Sequence, residues 1–320
     1  MNDITILGHS LKKNDGVSRY TKDLVYNMPN ADYKEYYKKE IIKNNKKHFG
    51  YISSILYQPF YKINTDIIHT LSTVNFYYKS NVTTIHDLYF DNNIYKLSTL
   101  SFLMPMIIKY KLGRLKIIVP SELVKEQFKK YFHSDKNIYV VPHGINYDYI
   151  DSLNLYNPFK TEKNIVIAGG VDFKRRNQVY LLDKLKHSNY NIFVIGYGFM
   201  DILKEKYKAY HNMHFFKNLP DNEFYSYLKY SDLNLYNTIG EGFGYLIYES
   251  LYLGKKMLVN YNHDNMLLFK NYANYYTDEN ILQQIDLLMN TEYKFMKNDL
   301  IKNYSIKSMV ENTLKVYSAV

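Results

Sequence analysis

Short apolar runs alternate with longer segments of helical period along most of this 320-residue chain. The apolar runs predict buried strands, and the segments with apolar residues three or four apart predict helices. The predicted strands cover residues 4–7, 67–69, 82–85, 117–119, 138–141, 164–168, 192–195, 213–216, 233–236 and 256–259. The predicted helices cover residues 16–28, 122–132, 178–187, 221–230 and 243–253. This alternation is typical of parallel sheets covered by helices, so we expect an α/β protein.

The length of the chain allows two domains, each with its own hydrophobic core. The apolar periodicity is interrupted over residues 146–162, where Asp, Asn and Pro158 precede the next predicted strand. We therefore predict one doubly wound domain over residues 1–150 and a second over residues 151–305. Residues 306–320 are predicted to form a C-terminal helix.

The composition excludes several classes of protein. The chain has no cysteine, so disulfides, thiol catalysis and cysteine metal sites are excluded. No run of about 18 apolar residues indicates a membrane span. The sequence enters its first strand directly after Met1 and shows no basic-then-apolar leader pattern, so we expect a cytoplasmic protein.

Positive charge is concentrated in the first half of the chain. Residues 1–150 carry 21 Lys and Arg against 13 Asp and Glu, a balance of +8, whereas residues 151–320 carry 20 against 18. This asymmetry indicates an anionic partner such as a membrane surface, a nucleic acid or an acidic polymer. Residues 33–48 are rich in Tyr and Lys and are a candidate for peripheral membrane contact. A solvated helix or loop is the alternative interpretation.

Two carboxylates, Glu241 and Glu249, lie eight residues apart around the start of a predicted helix. Gly242 and Gly244 between them allow close approach of a ligand, and the N–H groups at a helix start suit a diphosphate. If the whole segment were helical, the carboxylates would lie about 12 Å apart, comparable to the reach from a sugar to a ribose across a diphosphate. An ordinary turn followed by an amphipathic helix is the alternative.

Residues 240–250, with the run 250–259 after them, resemble the Glu-x7-Glu motif of the family-four retaining glycosyltransferases with the GT-B fold. The resemblance implies two Rossmann-like domains that face a central cleft. It also implies that Glu241 lies near the donor sugar and that Glu249 binds the nucleotide ribose. In such enzymes the last helix often crosses back to the first domain, and residues 306–320 are the candidate here.

Two further loops of the second domain resemble the donor site of that family. The strand at 164–168 leads into a loop with Gly170, Lys174, Arg175 and Arg176 before a predicted helix, and cations after a strand suit a phosphate. The resemblance implies that Arg175 and Arg176 bind the donor diphosphate; in an alternative alignment Lys174 takes the place of Arg176. Arg175 would then offset the charge of the leaving group. The remaining donor-site candidates are Gly196, which ends a strand, and Gly244 and Tyr245, which open the helix before Glu249.

The first domain offers two candidate contacts with the donor. Gly16 follows the first strand and its loop, and it resembles the family's glycine-containing first loop, which approaches the β-phosphate. His86 ends the strand at 82–85 in a Thr-x-His-Asp turn, and the resemblance implies that it hydrogen-bonds the donor sugar or phosphate. Arg19, near Gly16, is interpreted either as a phosphate contact or as a surface residue of the helix.

Metal catalysis has little support in the sequence. There is no Asp-x-Asp motif, and His211 and His214 have no evident carboxylate partner, so we expect neither a metal nor a cofactor beyond the donor substrate.

We therefore predict a metal-independent retaining glycosyltransferase, of hexosyltransferase type, that uses a UDP- or GDP-linked sugar. The predicted acceptor is a carbohydrate, a lipid-linked molecule or another anionic molecule. We expect the acceptor to attack the donor sugar from the side of the leaving group. A covalent intermediate on Glu241 is the alternative. A GT-B nucleotide-sugar epimerase and a basic nucleic-acid-binding protein are the rival functions.

Overall fold

A computed structural model of the protein describes residues 3–8, 11, 15–35, 63–71, 79–88, 109, 113–171, 174–292 and 296–320. The chain divides into two units: Met1–Ile145 together with Asn303–Val320, and Asn146–Lys302. None of the helices within the described residues has the length and apolar character needed to cross a membrane.

The first unit is built on a six-stranded parallel sheet of order β2-β1-β3-β4-β5-β6. Its strands are β1 (Ile4–Gly8), β2 (Ala31–Glu35), β3 (Ile67–Thr70), β4 (Val82–Thr84), β5 (Lys116–Val119) and β6 (Ile138–Val140), and its first helices are α1 (Gly16–Asn27) and α2 (Glu122–Phe132). The sequence starts these helices locally, because Asp15 and Ser121 accept hydrogen bonds from the amides of Ser18 and Val124.

The second unit contains another six-stranded parallel sheet, of order β12-β11-β10-β7-β8-β9. Its strands are β7 (Asn164–Ala168), β8 (Asn191–Gly196), β9 (Met213–Lys217), β10 (Leu233–Tyr236), β11 (Met257–Asn260) and β12 (Asn274–Tyr276). Its helices are α3 (Tyr147–Ser152), α4 (Gln178–Leu185), α5 (Met200–Lys206), α6 (Asp221–Tyr230), α7 (Tyr245–Tyr252), α8 (His263–Phe269), α9 (Ile281–Met289) and α10 (Lys297–Tyr304), with a 3₁₀ turn at Lys270–Tyr272. The prediction of two doubly wound α/β domains is confirmed.

Two strands, β2 and β12, were absent from the sequence-based prediction. Within the described residues, both lie at the edge of their sheets and pair with a neighbouring strand on one side. In β2 the side chains of residues 31–34, Ala-Asp-Tyr-Lys, alternate between half-buried and exposed, so the apolar signal of this strand is weak. Polar edge strands of this kind escape a search for continuous apolar runs.

The division between the units falls at Ile145, earlier than the sequence-based boundary at residue 150. The reason is that α3 packs on the second unit. The Tyr147 ring stacks on Tyr252 with ring centroids 4.1 Å apart, and the Tyr147 hydroxyl donates to the Leu300 carbonyl at 3.2 Å.

The last helix, α11 (Ile306–Tyr317), is part of the first unit. Its residues Met309, Val310 and Tyr317 share a core with strands β1 and β3 and with α1. The Tyr317 hydroxyl also lies 2.7 Å from Nδ1 of His69, a fully buried ring on β3. A C-terminal segment therefore completes the core of a domain that begins at the other end of the chain.

The buried His69 ring should make the stability of the first unit depend on pH. Its Nε2 lies 2.8 Å from the Thr84 hydroxyl, and burial, with a smaller contribution from His86, lowers its pKa to about 3. The folded pKa is depressed, so this stabilisation is complete above the unfolded pKa of about 6.5 and is lost as the pH falls toward the folded value. One such proton gives a slope of up to about 1.4 kcal/mol per pH unit.

Between about pH 7 and pH 5, the thermal unfolding temperature should fall less steeply for His69→Gln than for the wild type. The exposed His211→Gln is the control, and identical slopes for His69→Gln and wild type would contradict the assignment.

Candidate active site

The site lies where the strand order of the second sheet reverses. From β7 the chain proceeds to β8 on one side, and it returns later to β10 on the other side of β7. The loops that follow β7 and β10 therefore leave the same edge of the sheet side by side. In doubly wound folds such a reversal opens a crevice at the carboxyl ends of the strands, which is the usual place for a ligand.

Two glycines allow the loop after β7 to fold tightly. Gly169 has φ +109°, and a Cβ at this position would collide with Nη1 of Arg176. A Cβ at Gly196, the last residue of β8, would collide with the Gly169 carbonyl oxygen. The absence of side chains at Gly169 and Gly196 therefore allows the Arg176 side chain to turn back over the end of β7. The structure shows Gly196 in close backbone packing against Gly169.

The two arginines of this loop pair with Glu241 from the loop after β10. Arg176 Nη2 lies 3.3 Å from Oε1 of Glu241, and Arg175 Nη1 lies 3.7 Å from Oε2. The Tyr236 hydroxyl, from the end of β10, donates to Oε1 of Glu241 at 2.7 Å, and the Arg176 guanidinium lies over the Tyr236 ring at 5.2 Å from its centroid. Arg175, Arg176, Glu241 and Tyr236 are called the switch-point cluster below.

The switch-point cluster keeps Glu241 ionised and retains positive charge. Burial alone would raise the pKa of Glu241, but Arg176, Arg175 and the hydrogen bond from Tyr236 together hold that pKa below its usual value. Burial raises the pKa of Tyr236, so its hydroxyl stays a donor. Although burial opposes the charge of Arg176, the neighbouring Tyr236 and Glu241 raise its pKa overall. Two guanidiniums facing one carboxylate leave a net charge of +1, which suits an anionic ligand.

Glu249 lies apart from these contacts, in the middle of α7. Its side chain is 3% exposed, and its Oε1 accepts a hydrogen bond from the Tyr225 hydroxyl at 2.8 Å. The helix begins only at Tyr245, after Gly244 in the left-handed region at φ +86°. The segment from Glu241 to Glu249 is therefore not helical throughout, so the figure of about 12 Å, which required a continuous helix, does not apply.

The other donor-site candidates of the second unit lie in the same two loops or at the start of α7. Gly170 packs beneath the ring of Tyr197, and Lys174 is exposed beside the two arginines in the chain. Gly244 opens α7, and a Cβ there would approach the Phe269 ring at 2.7 Å. Tyr245 is half-buried at the first position of the helix and packs edge-on against the Phe243 ring, with centroids 5.0 Å apart.

His86 and Gly16 lie in the first unit. Nε2 of His86 donates to the Leu71 carbonyl at 2.8 Å, and its Nδ1 lies 3.1 Å from Nε2 of His143. Both ring nitrogens thus have partners within the unit, and these contacts hold the His86 ring in place. Gly16 is exposed at the first position of α1, where Asp15 already accepts from the Ser18 amide at 2.8 Å. Arg19 pairs with Asp23 on the same helix at 3.8 Å.

Residues 156–307 match the family model described as glycosyl transferases group 1. The matched residues include nearly all of the second unit. No curated protein sequence matches the chain.

Several solved structures share the fold of the whole chain. A crystal structure of Anabaena HepE in complex with UDP and glucose is 13% identical, with a TM-score of 0.69 and complete coverage of both chains. Sucrose-phosphate synthase from Thermosynechococcus elongatus is 13% identical, with a TM-score of 0.70 and coverage of 99% of this chain and 88% of that one. The lipopolysaccharide outer core galactosyltransferase WaaB is 13% identical, with a TM-score of 0.68 and coverage of 99% of each chain. The predicted GT-B fold is confirmed.

An asparagine network in the second unit fixes the loop that carries Glu241. The Asn260 side chain accepts from the Thr238 amide at 2.8 Å, and the amide nitrogen of fully buried Asn265 donates to the Thr238 carbonyl at 3.1 Å. The Thr238 hydroxyl in turn donates to the carbonyl of Gly240, next to Glu241, at 3.1 Å. The sequence-based search missed these residues. The only signal was a cap pattern at Asn262, which accepts from the Asn265 amide at the start of α8.

Hydrogen bonds also join the two loops of the switch-point cluster. The Ile239 amide donates to the Arg175 carbonyl at 3.0 Å, and the Asn237 side chain donates to the Arg176 carbonyl at 2.8 Å. These bonds hold the arginine backbone at a fixed distance from the Glu241 loop. His214, on β9, stacks its ring on Phe193 with centroids 4.6 Å apart, and burial lowers its pKa.

Proposed function

We propose that the protein is a retaining glycosyltransferase that transfers a hexose from a UDP- or GDP-linked donor without a metal ion. The observation that carries this proposal is the switch-point cluster, in which two arginines and a carboxylate lie together at the ligand edge of a group 1 glycosyl transferase domain. The UDP and glucose bound to HepE support a nucleotide-sugar donor for this fold.

Arg175 and Arg176 are proposed to bind the donor diphosphate. Charge accumulates on the leaving diphosphate as the bond to the sugar breaks, and preorganised cations lower the energy of that transition state. The hydrogen bonds from Asn237 and Ile239 hold the arginine backbones in place before a ligand arrives. The net charge of +1 in the cluster offsets part of the charge of the diphosphate without a divalent cation, and this supports metal independence.

Glu241 is proposed to orient the donor sugar by accepting hydrogen bonds from its hydroxyls. Its Oε1 receives the Tyr236 hydroxyl and faces Arg176, whereas its Oε2 faces Arg175 at 3.7 Å, beyond hydrogen-bonding distance, and can accept from a sugar hydroxyl. A carboxylate bound in this way is a weak nucleophile and a weak proton acceptor. The arrangement therefore supports attack from the leaving-group side, with the diphosphate oxygen taking the acceptor proton, over a covalent intermediate on Glu241.

The remaining roles extend this donor site. Glu249 is proposed to bind the ribose, and Gly16 and His86 are proposed to contribute from the first unit. The acceptor is proposed to be a carbohydrate, a lipid-linked molecule or another anion, in keeping with the basic first half of the chain. The Lys-rich part of the proposed membrane-contacting segment, residues 36–48, lies outside the described residues.

Neither rival function is favoured by the family match. A nucleotide-sugar epimerase would convert the donor without an acceptor, so product analysis with and without a sugar acceptor separates the two enzymes. Binding of nucleic acid with a steep salt dependence and no response to nucleoside diphosphates would favour the basic nucleic-acid-binding protein.

UDP or GDP should stabilise the protein with or without a chelator. At a concentration about 100 times the Kd, a ligand selective for the folded state adds about 2.7 kcal/mol, which corresponds to roughly 5–10 °C in the unfolding temperature of a domain of this size. Differential scanning fluorimetry with and without EDTA, at matched ionic strength, measures the shift. Loss of the shift with EDTA would contradict metal independence, and no shift in either condition would contradict a nucleotide-sugar donor.

A further inference from the structure

Tyr197 is an exposed aromatic ring beside the switch-point cluster. It directly follows Gly196, the last residue of β8, and 58% of it is exposed. Its ring lies against the backbone of Gly170, because a Cβ at Gly170 would come within 2.9 Å of two of its carbon atoms. The rest of the ring is exposed at the carboxyl edge of the sheet, where ligands of doubly wound folds bind.

The backbone around Tyr197 is fixed by contacts with the loop after β7. Its carbonyl accepts from the Val171 amide at 2.8 Å, and Val171 forms an isolated parallel bridge with Gly198. Gly198 has φ +85°, and a Cβ there would lie 2.8 Å from the Val171 carbonyl oxygen. These contacts extend the pairing of β7 and β8 beyond the strands. Ordering the ring on ligand binding therefore costs little, since its backbone is already held in place.

Strand order gives the site a direction. Glu241 follows β10, the arginines follow β7 and Tyr197 follows β8, and these strands are neighbours in that order. A nucleotide sugar is linear, with the sugar at one end, the diphosphate in the middle and the nucleoside at the other end. If the sugar lies at Glu241 and the diphosphate at the arginines, the nucleoside extends toward β8. Arg176 Nη1 lies over Gly169 and the Tyr197 ring lies over the adjacent Gly170, which supports this proximity.

We propose that Tyr197 determines donor binding by stacking its ring on the nucleobase of the nucleoside diphosphate. The proposal deepens the function proposed above and rests on it. An aromatic face accepts any base, because every base has a π face, so Tyr197 supplies affinity for the nucleoside half without choosing between uracil and guanine. A tyrosine in this position also predicts that the donor binds as a nucleotide derivative rather than as a simple sugar phosphate.

The test compares Tyr197→Ala and Tyr197→Phe with the wild type for three probes: UDP, GDP and inorganic pyrophosphate. Calorimetric titration should show about tenfold to hundredfold weaker UDP and GDP binding for Tyr197→Ala, as expected for loss of one base-stacking contact. Tyr197→Phe keeps the ring and should bind within about threefold of the wild type. Pyrophosphate has no base, so its affinity should be the same in all three proteins.

Tyr261→Ala is the matched control. Tyr261 is 59% exposed and follows β11, on the side of β10 away from β7, so its loss should leave UDP and GDP affinity unchanged. Wild-type affinity of Tyr197→Ala for both nucleotides would overturn the proposal. An equal loss of pyrophosphate binding would also overturn it, since Tyr197 would then support the phosphate loop. A wild type that binds none of the probes would instead contradict the proposed function itself.

Discussion

Replacing Arg175 and Arg176 together with Met should lower turnover at saturating donor by about a thousandfold or more, because removing one preorganised group that offsets transition-state charge costs about 100- to 1,000-fold. Methionine keeps part of the apolar stem and removes the charge. These two side chains are only 20% and 12% exposed. Their loss leaves Glu241 with the Tyr236 hydroxyl as its remaining contact within the cluster. Some loss of stability is therefore expected together with the loss of turnover.

Three controls separate chemistry from folding in that experiment. Lys174→Met removes an exposed cation from the same loop and should have a small effect. Arg176→Lys keeps the charge but lacks the planar fork that contacts Glu241, so it should show an intermediate loss. Circular dichroism and thermal unfolding report whether each variant is folded. A folded double variant with wild-type turnover would exclude the arginines from the mechanism.

Substitutions at Glu241 and Glu249 should affect different steps. Glu249→Ala should weaken UDP or GDP binding about 10- to 150-fold, the range for loss of a hydrogen bond to a charged group. Glu241→Ala should lower turnover at least 100-fold yet leave nucleoside diphosphate affinity unchanged or tighter, because Arg175 and Arg176 lose the carboxylate that competes with the diphosphate. Calorimetry with sugar-free UDP and GDP, followed by initial rates with the full donor, measures the two effects.

The buried position of Glu249 requires a further control. Its carboxylate accepts from the Tyr225 hydroxyl, so Glu249→Ala also removes an internal hydrogen bond. Tyr225→Phe removes the same bond while leaving the carboxylate, and it should weaken nucleotide binding much less than Glu249→Ala. Equal losses in these two variants would assign Glu249 a structural role. The opposite ranking of Glu241 and Glu249 for sugar-free nucleotides would reverse the assignment of the two ends.

The sequence determined the elements of this protein whose signals are local. Buried strands such as Asn164–Ala168 are continuous apolar runs, and Asp15 and Ser121 mark helix starts because a side-chain oxygen bonds an amide only three residues away. The segment around Glu241 could likewise be located, since its glycines and carboxylates are close in the sequence. These features depend on periods and spacings that neighbouring residues fix among themselves.

Tertiary structure alone decided which of the candidate residues meet. Arg176 and Glu241 are 65 positions apart, and their contact depends on β7 and β10 being neighbours, which no local pattern records. The same holds for the Tyr317–His69 contact, which joins the C-terminal helix to the first unit, and for His86, whose ring nitrogens are occupied by Leu71 and His143. Periodicity specifies what a segment becomes, but strand order and burial arise from packing the whole chain, and they decide which side chains share a site.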